Sequence, residues 1–415
     1  LNTIANYNAQ KKTQPEIIFV CVFYLIFLNV SAQNWNQITD FPSTERDDGV
    51  VFTINNKAYC GTGLKTGWIP TNDFYAFDMN NDTWSTVASL PSKQERQYAV
   101  AFSNSNNGFV FGGINGSNYL NDLWMYDAAN NTWQAKANLP STGRMGMACF
   151  VLNDTAFIIG GRTQAQSAIS EVWCYSIMNN TWIQKNNLPF GSIWRATAAS
   201  DNNKGYLLFG ADNNANFSNK LIEYNSSNYT WNTISNFSNT GRTYASLIVY
   251  NSSLIIFGGL DSIGNSYNDF WQYDLVSQNW TLLNPLPSSP RRGGLLFSNS
   301  NAIYYTIGID ENNHRLNETW RNTNPLSIKD NSKNKFSIDT YPSPASEFVF
   351  IETTNKPIVG KAIIDIINNL GQTVIHQISF TNYNQIKTEQ LPNGMYFIQI
   401  KLADIVLNHK ICITH

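Results

Sequence analysis

Charge is scarce in this sequence. Of 415 residues only 13% are Asp, Glu, Lys or Arg, and the net charge is −2. No basic block offers a footprint for nucleic acid, and no acidic run reads as a solvating tail. Histidine is scarcer still, at 4 residues. Only His314 falls in the long repetitive part described below, the others being His376, His409 and His415. A two-histidine copper site cannot be assembled there, HExxH and EF-hand loops are absent, and a Ser-His-Asp set has too little material. We therefore expect no metal and no cofactor. The 5 cysteines share no CxxC spacing. Cys21 lies in an N-terminal apolar run, and Cys60, Cys149, Cys174 and Cys412 read as buried free thiols beside strands. No long segment has a 3.6-residue period, while Asn, Ser and Thr abound, as suits turns and exposed strands. The chain reads as all-β.

The one sustained apolar run is Ile17 to Val30, preceded by Lys11-Lys12 and followed by Ser31-Ala32. It is too short to span a bilayer comfortably and has the layout of a secretory signal. Residues 1–32 are expected to be removed, leaving a start near Gln33.

What the sequence has in excess is a period. Trp35, Trp84, Trp133, Trp182, Trp231 and Trp280 stand 49 residues apart. Prolines at 42, 91, 140, 189 and 287 keep the same step, and an arginine follows in each copy: Arg46, Arg96, Arg144, Arg195, Arg242 and Arg291. Short β-rich runs ending in glycine come next, as in FVFGG (109–113), FIIGG (157–161) and IIFGG (255–259). A third strand carries aromatics at Tyr75, Trp124, Trp173, Trp271 and Trp320, with Ile222 in the remaining copy. An acid precedes it at Asp73, Asp122, Glu171, Asp269 and Glu318, where the fourth copy has Lys220. Four short strands per copy, six times over, predict a six-bladed β-propeller over residues 33–322. The sixth copy lacks its fourth-strand Trp while Trp35 is an orphan, so the N-terminal strand is expected to close the last blade and hide two sheet edges.

The double glycine, spaced aromatics and ladder Trp resemble the kelch repeat. That resemblance implies a scaffold that hosts both binding proteins and enzymes, including galactose oxidase, excluded by the histidine count, and the six-bladed sialic acid mutarotase. The latter would hold a carboxylate with Arg and use an acid/base group, for which Glu45, Glu95 and Glu311 fall in suitable loops.

In a four-stranded blade, the loop entering strand one shares a face with the loop between strands two and three. The arginine column belongs to the first set. Trp68, Tyr119, Arg162, Phe217, Tyr267 and His314 belong to the second, and Trp194 adjoins Arg195. Candidate ligand contacts are thus Arg46, Arg96, Arg144, Arg195, Arg242, Arg291, Trp68, Tyr119, Trp194, Tyr267 and His314, suited to sugar stacking, anionic groups or a protein loop. The structural alternative is that each Arg pairs with an acid of the column and locks neighbouring blades.

After residue 322 a polar linker, 323–335, leads to alternating strands divided by Asn-Leu-Gly and Pro-Asn-Gly turns, over 336–415. Some seven short strands suggest a small Ig-like β-sandwich. Tyr341-Pro342-Ser343-Pro344-Ala345, Asn369-Leu370-Gly371-Gln372 and Leu391-Pro392-Asn393-Gly394-Met395-Tyr396-Phe397 resemble the C-terminal sorting domain of the type IX secretion system. The resemblance implies transfer across an outer membrane by that machinery, removal of the tail, and release or attachment to surface lipopolysaccharide. The expectation is a monomeric, exported propeller that binds a glycan or a protein, with a mutarotase-like enzyme as the alternative.

Overall fold

The computed structural model describes residues 35–165, 167–201, 203–323, 325–326, 338–353, 362–379, 383–402 and 405–415. The expected signal segment, Gln33 and most of the expected linker lie outside them. The described residues hold strands and no helix, in two compact units divided after Pro325.

The first unit contains six four-stranded antiparallel sheets. The third is representative: Ala148–Leu152, Thr155–Ile159, Val172–Ser176 and Thr181–Lys185. Burial follows strand position. In the fifth sheet the second strand, Ser253–Phe257, is covered along its whole length and is accordingly almost wholly apolar. Fourth strands such as Thr181–Lys185 face water and alternate Trp with polar residues. The ladder tryptophans and third-strand aromatics fill the space between successive sheets. Trp133, for example, lies 5.1 Å from Tyr126 of its own sheet and 4.9 Å from Phe74 of the preceding one.

The double glycine is a backbone device. Gly112 and Gly113 have φ of +64° and +96°, and a Cβ on Gly113 would lie 2.6 Å from the Gln97 carbonyl oxygen. Both facts select glycine where the second strand turns away.

Each first strand lies beside the first strand of the next sheet, and the sixth, Leu295–Ser298, lies beside the first, Val50–Ile54. Together they line one cavity of about 230 Å³ with three residues apiece, from Gly49–Val51 to Gly294–Leu296. The sixth sheet takes its outer strand from the far end of the unit. Trp35–Gln37 runs antiparallel to Thr319–Asn322, with Trp35 opposite Asn322 and Gln37 opposite Trp320.

The second unit has a three-stranded and a four-stranded antiparallel sheet. Val349, Ile351, Ile364, Ile366, Ile398 and Ile413 form its core. Cys60, Cys149, Cys174 and Cys412 are free thiols. Burial raises the first three well above the ordinary thiol value, consistent with inert packing.

Candidate functional site

The arginine column divides in two. Arg46, Arg96, Arg144, Arg242 and Arg291 are at most 1% exposed. A guanidinium cannot be carried so far from water without a counter-charge, and each finds the acid of its own repeat. Arg242 grips Asp269 through both terminal nitrogens at 2.6 Å, and Arg96 grips Asp122 likewise at 2.8 Å. Arg46 meets Asp73 at 2.6 Å, Arg144 meets Glu171 at 2.8 Å and Arg291 meets Glu318 at 2.7 Å. The indole two residues after the acid usually adds a third donor: Trp124 to Asp122, Trp173 to Glu171, Trp271 to Asp269 and Trp320 to Glu318. Burial pushes the Glu171 and Glu318 carboxyls up, but the indole and guanidinium donors outweigh it and hold both below the usual range. These five arginines are enclosed in the wall, which corrects the expectation that they face a ligand.

Arg195 belongs to a different column. A step of 49 from Arg144 reaches Ile193, which is buried, and Ile193 occupies the arginine slot opposite an exposed Lys220. The expected register was therefore off by two residues in this copy. Arg195 instead joins Asp48, Tyr98, Gly146, Tyr244 and Gly293. All six have positive φ, between +54° and +66°. Main-chain hydrogen bonds link them in succession: Tyr98 N to Asp48 O, Gly146 N to Tyr98 O, Arg195 N to Gly146 O, Gly293 N to Tyr244 O and Asp48 N to Gly293 O. Two glycines leave room, and four side chains fill part of it.

These residues line a cavity of about 160 Å³ that shares Gly49, Ala99, Ala196, Ala245 and Gly294 with the cavity lined by the first strands. The Arg195 guanidinium carbon sits 3.9 Å from the Tyr244 ring centre, 4.0 Å from Trp194 and 4.9 Å from Tyr98. Arg162 stacks on Trp194 at 4.8 Å. The Arg195 Nε is buried without a hydrogen-bond partner. Burial, and then the Asp47 charge, raise the Asp48 carboxyl well above its ordinary value, against a smaller pull from Arg195. Burial and the Asp48 charge raise the Tyr98 phenol too, and burial lowers the Arg195 guanidinium. The mouth thus combines a desolvated cation, three aromatic faces and a carboxyl that holds its proton unusually well.

Of the other candidates, Trp194 belongs to this cluster. Trp68 is 78% exposed, with Arg315 5.4 Å from its ring, and Arg315 is tied to Asp47 at 2.6 Å. Tyr267 donates to Asp261 at 2.8 Å beneath Arg242, 3.7 Å away. His314 is exposed and stands 3.5 Å from Asp310. Tyr119 is half-buried in the short strand Asn118–Tyr119, and Phe217 bridges to Ala211. These side chains decorate the hairpins around the mouth and share no ring contact or hydrogen bond with Arg195 among the described residues. Glu45 and Glu311 are exposed, and Glu95 accepts from Lys93 N at 3.2 Å. Asp48, Tyr98 and Tyr244 were missed by the sequence reading, although stepping by 49 from Arg195 reaches Gly146, Tyr244 and Gly293.

In the second unit the motif residues shape turns and edges. Tyr341, Pro342 and Pro344 are exposed, while Ala345 is fully buried, bridges Ile413 and donates to the Cys412 carbonyl at 2.8 Å. Gly371 turns at φ +81°, and Gly394 opens the strand in which Tyr396 donates to the Pro392 carbonyl at 2.9 Å.

Residues 19–192 and 184–348 match the family model described as the KLHDC2/KLHL20/DRC7 Kelch-repeats domain. Residues 339–414 match that of the secretion system C-terminal sorting domain. No curated protein matches the chain. Among solved structures, "Structure of YjhT" superposes with a TM-score of 0.59 at 17% identity, over 68% of this chain and 96% of that one. A likeness at that identity concerns the fold alone.

Proposed function

The chain belongs to the kelch-repeat family and ends in a secretion sorting domain, and from that premise we propose an exported binding module. Residues 1–32 act as signal peptide. Residues 33–322 form a six-bladed propeller closed by the strand at Trp35. Residues 323–335 are a linker, and 336–415 an Ig-like sandwich that addresses the protein to the type IX machinery. The mature, monomeric propeller is released or held on surface lipopolysaccharide, and it binds a glycan or protein ligand at the axial mouth.

One observation carries this reading. Five arginines are paired with carboxylates inside the wall, whereas Arg195 makes no ion pair among the described residues and stands at the mouth among three rings. An acidic group on a ligand would complete its hydrogen bonding in a partly dry setting, and the rings offer faces to a sugar or a side chain. A glycan array containing acidic and neutral members, run on the propeller and on Arg195→Ala, tests it. Retained binding of acidic glycans by the variant would remove the mouth from consideration.

Asp48 favours a second reading, an enzyme resembling sialic acid mutarotase. A carboxyl whose pKa is raised by burial and by Asp47, near a guanidinium that pulls the other way, is the kind of group that serves acid/base chemistry. Anomer exchange followed by NMR, compared between the propeller and Asp48→Asn, separates catalysis from binding.

A further inference from the structure

Two successive junctions between sheets are sealed at their outer edge by the same set of hydrogen bonds. A third, between the fourth and fifth sheets, keeps only its indole bond among the described residues, from Trp280 Nε1 to Ser235 Oγ at 2.9 Å. Between the first and second sheets, Asn131 Oδ1 accepts from Tyr126 Oη at 2.8 Å and from Ala88 N at 2.7 Å, while Trp133 Nε1 donates to Ala88 O at 2.7 Å. Between the second and third, Asn180 Oδ1 accepts from Tyr175 Oη at 2.8 Å and from Ala137 N at 2.9 Å, and Trp182 Nε1 donates to Ala137 O at 2.7 Å. The asparagine is a plug that satisfies a phenol and a main-chain N–H together.

The next step of 49 puts Tyr224, Trp231 and Asn186 in the partner positions and Tyr229 in the plug position. The backbone keeps its shape, with Tyr229 at φ +58° where both asparagines have +53°. Asparagine tolerates that conformation, and a bulky ring there is strained, a departure that concentrates at functional sites. The Tyr229 ring cannot reproduce the amide oxygen and instead points outward, 72% exposed. None of the three sealing hydrogen bonds forms at this junction among the described residues.

Two adjoining grooves open there, of about 350 and 300 Å³, and share Phe157, Lys185, Tyr224 and Tyr229. Trp231 walls the first, and Gln184, Asn186 and Asn187 border it. The geometry points to a saccharide-binding groove for an uncharged oligosaccharide at the junction of the third and fourth sheets, with Tyr229 as stacking platform. A sugar ring lays its C–H face on an aromatic, while its hydroxyls both donate and accept. They can therefore satisfy the acceptor-poor Trp231 Nε1, the Tyr224 hydroxyl and the bordering amides at once. The volumes suit a ligand of a few rings. One lysine makes a poor track for a polyanion, and the amide border suits hydroxyls better than the apolar anchor of a peptide. The groove shares no lining residue with the axial mouth, so it stands independently of the function proposed there.

The test titrates the protein with cellohexaose, xylohexaose, mannohexaose and chitohexaose, read by calorimetry and by indole fluorescence. At least one should bind. Tyr229→Asn, which restores the neighbouring plug, should weaken that binding by about tenfold or more and raise the melting temperature. Gln278→Ala, at the corresponding position of the fifth sheet, should leave binding unchanged. The proposal is overturned if none of the four sugars binds up to about 10 mM. It is equally overturned if Tyr229→Asn binds as tightly as the parent, or if Gln278→Ala loses binding to the same extent.

Discussion

Arg242 and Asp269 stand 27 residues apart in the chain and face each other through two parallel hydrogen bonds of 2.6 Å. The guanidinium is wholly buried and the carboxylate is 18% exposed. Removing the arginine would strand a carboxylate in a poorly hydrated wall. Arg242→Ala is therefore expected to cost about 3–5 kcal/mol, a little less if water reaches Asp269. Urea titration followed by tryptophan fluorescence measures this, and a loss below about 1 kcal/mol would mean that the pair does not hold the wall.

Arg195→Ala should behave differently. Its side chain contributes cation–π contacts with three rings, worth about 0.5–1 kcal/mol each where exposed, set against the cost of keeping the charge from water. A net stability loss of about 1–2 kcal/mol is expected, together with loss of binding to acidic ligands. Arg195→Lys should recover only part of that binding, because a point charge cannot reproduce the planar fork. Equal losses of stability in Arg242→Ala and Arg195→Ala would assign both to the wall.

The difference between these two arginines marks how far the sequence could be read. Strand count, sheet boundaries, the acid column and the N-terminal strand all follow from a period of 49, because each is a periodic burial demand. The mouth keeps the period in position but not in residue type. Its column holds Asp, Tyr, Gly, Arg, Tyr and Gly, which share only a left-handed backbone, and residue type does not reveal that when four of the six are not glycine. Arg195 lies two residues from the arginine slot of its copy, and residue type alone does not separate it from the other five. Only the pairing of Ile193 with the buried slot shows the two-residue displacement.

The raised pKa of Asp48 sets the sign expected for a pH response. Its folded pKa is raised, so its contribution to stability is full below the ordinary carboxyl range and is lost as pH rises through the folded value. Asp73, Glu171 and Glu318 are lowered and act oppositely, losing their contribution as pH falls through their folded values. Asp48→Asn should melt higher than the parent at neutral pH, and the advantage should shrink on acidification. Calorimetric melts across the acid-to-neutral range check this, and an advantage independent of pH would point to packing instead.

The tail should be an address and not a working part. Residues from about Phe336 onward are expected to be missing from protein collected outside the cell, and a chain ending at Pro325 should still fold, because the two units have separate cores. Mass spectrometry of the secreted protein decides the first point, and a surface form that keeps His415 would rule it out.

The strand Trp35–Gln37 should be indispensable to the first unit. It covers the edge of Thr319–Asn322, whose main-chain groups would otherwise be free to pair with another molecule. Trp35 is 3% exposed, its indole donates to the Asn284 carbonyl at 3.2 Å, and its ring meets Phe270 edge-on at 5.1 Å. Burial of an indole of about 200 Å² stabilises by up to roughly 5 kcal/mol. The strand thereby fastens the sixth sheet to residues of the fifth. Deleting residues 33–39 should lower the melting temperature and produce oligomers in light scattering, because lost packing and an exposed edge act together. Trp35→Ala removes the packing while leaving the main-chain pairing possible, so it should lower the melting temperature with far less association. A deletion that stays monomeric and melts with the parent would show that the edge is protected by something other than this strand.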